Sequence, residues 1–279
     1  MIACVHGNLP ALEAVFADID RREILRVVCL GDIIGYGPDP LACVERVFER
    51  CNTVIRGDCE DALPKSWKSW IDADLRAAMA HSVAQVGPSS LLDFAGRRRL
   101  RRLKALPWQI VEGERGFIHF AERGHSPAID CTWPEFVSVD RDVFPRGRRI
   151  VFLGHLHQPG LEVTASQAND PLRLVAHSQH LLNVEPGTTH DLSKPERHVI
   201  CVGGVGRSHD GDTRASWVEV LENEVTFHRV EYEVGETVAH MKAIRNFPTG
   251  LIEQLEAGQP GPEWPGQERG QIADCDWSS

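Results

Sequence analysis

Val151-Phe-Leu-Gly-His-Leu-His-Gln-Pro159 sets two imidazoles, His155 and His157, one residue apart at the end of an apolar run. The run reads as a buried strand. Two rings leaving one strand end share a small volume, an arrangement that suits a metal better than a core. Three earlier apolar runs end in the same kind of chemistry. Cys4-Val-His6-Gly-Asn8 follows Met1–Ala3, Gly31-Asp32 follows Val27–Leu30, and Gly57-Asp58-Cys59-Glu60 follows Val54-Ile55. A lone His or Asp at a strand end is usually a cap or a satisfied polar group. Four such blocks in order, each at a strand exit, point to one site.

The apolar runs alternate with helical patterns. Leu12, Val15, Phe16 and Ile19 recur at helical spacing after the His6 loop, and Leu41, Val44, Val47 and Phe48 do so after Pro38-Asp-Pro40. Strand-loop-helix repeats predict an α/β protein with a largely parallel first sheet. Residues 64–106 read as helical and carry the basic run Arg97-Arg-Arg-Leu-Arg-Arg102, most simply the solvated face of a helix. After Gly154 come shorter strands at Leu172–Val175, Val199–Val202, Trp217–Leu221 and Val225–Val230, expected to form an antiparallel second sheet. Residues 166–171 and 185–195 read as polar loops. Thr237–Ala257 reads as a closing helix broken near Pro248, so one domain is expected over 1–257. Residues 258–279, rich in Pro, Gly, Gln and charge, read as a disordered tail.

Composition excludes several classes. A net charge of −10 gives no global pull toward nucleic acid or an acidic membrane surface. No run is long and apolar enough for a membrane span, and the start lacks a basic leader region. The eight cysteines include no C-x-x-C pair, which removes zinc-finger and thioredoxin readings and favours a reducing cytoplasm. Gly203-Gly-Val-Gly206 lacks both the P-loop lysine and the dinucleotide spacing.

On these blocks the chain resembles the calcineurin-like metallophosphoesterases, most closely their small bacterial and archaeal branch of predicted phosphodiesterases. That family orders Asp-x-His-Gly-Asn, Gly-Asp-x-x-Gly, Gly-Asn-His-Asp/Glu, a lone His after a strand, and Gly-His-x-His. His6-Gly-Asn8, Gly31-Asp-Ile-Ile-Gly35 through Pro40, His119 after Gly116-Phe-Ile118, and Gly154-His-Leu-His157 match it. Val205–Ser216 resembles its late glycine-rich block. The resemblance runs from residue 1 to about 257 and implies a two-sheet mixed β-sandwich flanked by helices. It also implies two divalent ions (Zn, Fe, Mn or Ni), bridged by a carboxylate and a hydroxide about 3.5–4 Å apart in such sites, acting on a small phosphoester or nucleotide-like substrate.

Carried over position by position, Asp32 bridges, His6 and His157 hold the first ion with Cys4, and Asp58, His119 and His155 hold the second. Asp32, Asp58 and Cys59 are the expected catalytic positions. Asn8 and Arg56 lie near enough to orient ligands or phosphate. The departures are Cys4 for an aspartate, Asp58 for an asparagine, Cys59 for a histidine, and Cys201-Val-Gly-Gly204 for Asn-Pro-Gly-Ser. A thiolate at position 4 favours zinc or iron over manganese or magnesium, although Cys4 also reads as a plain buried thiol. Cys59 stands where the family supplies a transition-state imidazole, a loss worth ~10²–10⁴-fold. These substitutions support a second reading, a non-catalytic metal- or phosphate-binding member with a regulatory or structural role. A nuclease is weaker, because only the arginine run offers a backbone track. The remaining histidines, 81, 125, 177, 180, 190, 198, 209, 228 and 240, read as surface or loop residues. Met1 lies three residues before Cys4, so the first strand is expected to be short, as for a chain that starts upstream.

Overall fold

The computed structural model describes residues 1–63, 73–119, 137–139, 148–164, 174–176 and 182–259. Ile2 makes one parallel bridge to Cys29 in place of a full first strand. Asn8 then accepts a hydrogen bond from the Ala11 N–H and caps α1 (Leu9–Arg21), and Pro10 fits its first turn. β1 (Val28–Cys29) runs parallel to β2 (Thr53–Val54), with α2 (Pro40–Arg50) as the crossover. Three helices follow: α3 (Asp58–Ala62), α4 (Ala73–Val86) and α5 (Phe94–Lys104). α5 carries the predicted arginine run, which leans on α2, with Arg102 stacked on Phe48 and Arg99 paired with Glu45.

The strands β3 (Gln109–Glu112), β4 (Arg115–Ile118), β5 (Val137–Val139), β6 (Ile150–Leu153), β7 (Pro159–Thr164), β8 (Leu174–Ala176), β9 (Leu182–Asn183), β10 (Thr189–Asp191), β11 (Arg197–Val202), β12 (Ala215–Leu221) and β13 (Glu224–Val230) follow. One six-stranded sheet has the order β3-β4-β6-β11-β7-β9, and a three-stranded sheet runs β10-β13-β12. Met1 and Ile2 join β1 to β12: Val218 N–H donates to Met1 O, and Leu30 N–H to Ile2 O. The β1-β2 and β10-β13-β12 sheets thus form one layer facing the six-stranded sheet, while β5 pairs antiparallel with β8. Side-chain alternation along this layer builds both cores. Val28, Leu30 and Val218 point inward with Phe117, Phe152 and Ile200, while Cys29 and Trp217 point outward with Leu12, Phe16 and Val44. The result is the expected mixed sandwich with helices outside.

Two expectations need correction. Of the later strands, β12 and β13 do pair antiparallel, together with β10, but β11 does not join them. β11 lies inside the six-stranded sheet, parallel to β6 and antiparallel to β7. Its residues are buried throughout, as a strand covered on both faces must be. Within the expected 185–195 loop, residues 189–191 pair as β10 with β13. The closing helix is two helices, α6 (Val234–Ala243) and α7 (Thr249–Ala257), parted at Pro248. The 166–171 loop and nearly all of the predicted tail fall outside the described residues.

Candidate metal centre

β1 and β2 are parallel, as are β4 and β6, so their C-terminal ends deliver Asp32, Asp58, His119, His155 and His157 to one edge. Eight non-glycine residues have positive φ among the described residues, and five of them are Cys4, His6, Asp32, His155 and His157. Left-handed backbone costs about 1–3 kcal/mol per residue and persists where the surroundings hold it. The chain turns sharply at each strand exit and throws these side chains inward. The loops after β1 and β2 are pressed together, and a Cβ at Gly57 would lie 2.2 Å from Asp32 N.

Cys4, His6, Asp32 and His157 bring one donor atom each within 4.8 Å of one another, and all four are buried. His6 Nδ1 lies 3.1 Å from Ile34 O. A carbonyl only accepts, so Nδ1 carries the proton and Nε2 keeps its lone pair. That Nε2 lies 2.9 Å from His157 Nε2 and 3.6 Å from Asp32 Oδ2. Burial pushes His6 down to about 4 and His157 well below its ordinary value, so both rings are neutral ligands at pH 7. Burial and the nearby Asp32 push the Cys4 thiol up. Its Sγ accepts the His155 N–H at 3.2 Å.

Asp58, His119 and His155 form a second group within the same 4.8 Å limit. Asp58 Oδ2 lies 2.7 Å from His155 Nδ1 and 3.8 Å from His119 Nε2. His119 Nδ1 donates to Leu30 O at 2.6 Å, which leaves Nε2 facing Asp32 Oδ2 at 3.2 Å. Burial lowers His119, but the Asp32 carboxylate outweighs it and holds the ring up to about 10. Burial works against ionisation of Asp32 as well; His119, His6 and the Cys59 N–H, at 2.8 Å, overcome it and keep the carboxyl well below the usual range.

These donors fit a metal. Asp58 Oδ2, His119 Nε2 and His157 Nδ1 are buried and make no hydrogen bond despite their close approaches. Buried polar atoms without a hydrogen bond are costly, and a cation beside them would offset that cost. The sets S, N, O, N and O, N, N, with Asp32 between them, suit borderline divalent ions.

Two other predicted residues turn elsewhere. Asn8 is saturated by Ala11, Thr237, Gly206 and Tyr232. Arg56 stacks on Trp108 at 4.0 Å and faces Asp61. Cys59 Sγ rests 3.9 Å from His6 Nδ1, on the edge of the ring turned toward Ile34. Three histidines read as surface or loop residues are packed. His228 stacks on Trp217, His198 is buried on β11, and His209 stacks on His157 with centroids 4.3 Å apart. His125, His177 and His180 fall outside the described residues.

Glu60 also went unread as a functional residue. Its buried carboxylate accepts N–H groups from Asp32, Ile33 and Gly57 at 2.9 Å and from Ile34 at 3.1 Å. It binds the two acidic loops together. Its signal was its place three residues into the Gly57 block, where it closes a capping arrangement on α3. A cavity of about 700 Å³ beside α1, lined by Glu13, Glu231, Glu233 and Glu236 among others, includes none of the donors, and these acidic groups would repel a phosphate. No helix among the described residues is long and apolar enough to cross a membrane.

This edge, with its paired donor clusters, defines a metallophosphoesterase-type site. A family model of calcineurin-like phosphoesterases matches residues 1–159, and the chain belongs to that family. It is 27% identical to an uncharacterised protein of Methanocaldococcus jannaschii over 93% of this chain and 97% of that one. The crystal structure of a metallophosphoesterase from Sphaerobacter thermophilus superposes with a TM-score of 0.70 and 28% identity, covering 92% of this chain and 98% of the other. A hypothetical protein of Pyrococcus horikoshii gives a TM-score of 0.64 at 18% identity, with 92% and 96% covered, a likeness of fold. The protein is therefore a metal-dependent phosphoester hydrolase by family.

Proposed function

We propose that the protein is a phosphodiesterase with a dinuclear metal centre, working in the cytoplasm on a small or nucleotide-like diester. Asp32 carries the reading. One buried carboxylate lies 3.6 Å from His6 Nε2 in the first donor group and 3.2 Å from His119 Nε2 in the second. Cys4, His6 and His157 would hold the first ion and Asp58, His119 and His155 the second, with Asp32 between the two groups. When bound, the ions supply Lewis acidity toward phosphoryl oxygens and activate the nucleophile. The Ile34 and Leu30 carbonyls fix the tautomers of His6 and His119, and the Cys59 N–H aims Asp32. Asp58 adds negative charge that tightens metal binding and repels an anionic ester. Cys59 cannot supply the protonated imidazole of the family, so turnover is slow. The net charge of −10 argues against a polyanionic substrate. The buried free thiols Cys4, Cys29, Cys43, Cys59 and Cys201 suit a reducing compartment.

The Cys59 thiol, buried against His6, also favours a second reading, a metal- or phosphate-binding member without turnover. A screen with bis(4-nitrophenyl) phosphate and 4-nitrophenyl phosphate under Zn²⁺, Fe²⁺, Mn²⁺ and Ni²⁺ separates the two. The expected result is slow, metal-dependent hydrolysis that prefers the diester. Cys59→His should raise it by at least about tenfold, part of the ~10²–10⁴ worth of a positioned acid. No turnover by the wild type, Cys59→His or the Cys4→Asp/Cys59→His double variant, with metal bound, would establish the binding reading. Wild-type turnover near the typical ~10 s⁻¹ would show that Cys59 is no handicap.

A further inference from the structure

We infer that His209 is a substrate contact, an imidazole that reaches the phosphoryl oxygens of a phosphoester held at the first donor group; the inference rests on the metal-centre reading above. The loop that carries it is stitched to the site by backbone bonds. Val205 N–H donates to Ala3 O at 3.0 Å, Gly206 N–H to Cys4 O at 2.9 Å, and His209 N–H to His157 O at 3.3 Å. The close approach needs glycine, because a Cβ at Gly206 would lie 1.8 Å from Val5 O. Further along, Ser208 bonds Asp210, which pairs with Arg229. The loop therefore presents His209 from a fixed frame, which is what a binding group requires.

The ring stacks on His157 with an interplanar angle of 30° and remains half-buried at the edge of the donors. Its Nε2 is buried and has no hydrogen-bond partner among the described residues. A buried, unpartnered ring nitrogen is costly unless something completes it. The neighbouring polar groups are engaged: Asn8 is saturated, Arg56 lies on Trp108, and Arg207 packs on Tyr36 at 4.3 Å and bonds Gln254. His209 lies outside both donor groups, so its free nitrogen is available to a ligand. A phosphoryl oxygen is an acceptor, and a neutral imidazole with Nε2 protonated donates to it without any change in charge. The contact would place an imidazole near the phosphate in a chain that carries Cys59 in the slot where the family resemblance implies one.

The test measures binding of inorganic phosphate to the Mn²⁺-loaded full chain by calorimetry, with metal content measured alongside, for the wild type, His209→Ala, His209→Phe and His209→Gln. Phe keeps the stack on His157 and loses the donor; Gln keeps a donor and loses the stack. Ala and Phe should weaken phosphate by roughly ten- to a hundredfold, the value of a hydrogen bond to a charged group, with metal content unchanged. Gln should recover most of the affinity. Wild-type affinity in His209→Phe would overturn the proposal. So would loss of metal in Ala and Gln but not Phe, which would make His209 a prop for His157. Full metal loading of the wild type with no phosphate binding would overturn the proposal alone, whereas failure to bind metal would remove the dinuclear reading beneath it as well.

Discussion

Cys4, His6 and His157 make a buried, largely neutral group beneath the late glycine-rich loop. Asp58, His119 and His155 make a more charged one, in which a second carboxylate joins Asp32 around His119. In the first group burial dominates: it drives both histidines down and the thiol up. In the second, carboxylate charge overcomes burial and holds His119 up to about 10. A dication must displace a proton in either group, from the buried Cys4 thiol in the first and from His119 in the second, but the second already offers the negative charge of two carboxylates. The contrast rests on Cys4 and Asp58: the thiol makes the first group the softer donor set, and the second carboxylate makes the second group the more negative one.

Breaking the shared element should have the largest effect. Asp32→Asn keeps the volume but removes the charge between the groups. Diester hydrolysis should fall on the order of 10³-fold, comparable with losing a key preorganised electrostatic group. Metal content should fall by at least half, with the far-ultraviolet circular dichroism unchanged. Retention of full metal and rate would mean that Asp32 bridges nothing.

Cys4→Asp sharpens the comparison by making the first group hard. The preference for Zn²⁺ over Mn²⁺ should drop by roughly tenfold, the low end for changes around metal ligands. Co²⁺-loaded wild type should show a sulfur-to-metal charge-transfer band that the variant lacks. A band that survives the substitution would assign the sulfur ligand to another cysteine.

Much of this was legible in the sequence, because strand exits are local. Apolar runs ending in His or Asp, with the family resemblance adding His119 and Cys4, picked out seven residues that the fold gathers into two groups, and helical periodicity gave α1 and α2. Contacts across long separations were not legible. β11 reads like any short apolar strand, and only its pairing with β6 and β7 places it in the central sheet. His209 lies 52 residues beyond His157 and has no ligand spacing, so only the folded loop brings the rings together. Glu60 lies within the Gly57–Glu60 block, yet its role depends on N–H groups from a loop about 27 residues earlier.

The central claim is that two separate donor groups hold two ions. Elemental analysis of Zn²⁺-reconstituted protein after desalting tests it most directly, on wild type, His157→Ala and His155→Ala. The account predicts about two ions per chain in the wild type, as a dinuclear hydrolase requires, and about one in each variant. The ion retained by His157→Ala, in the second group, should be held more tightly than the one retained by His155→Ala. A single ion in the wild type that is lost in both variants would contradict it. So would a content below about a tenth of an ion per chain after loading, which no preformed set of ligands should show.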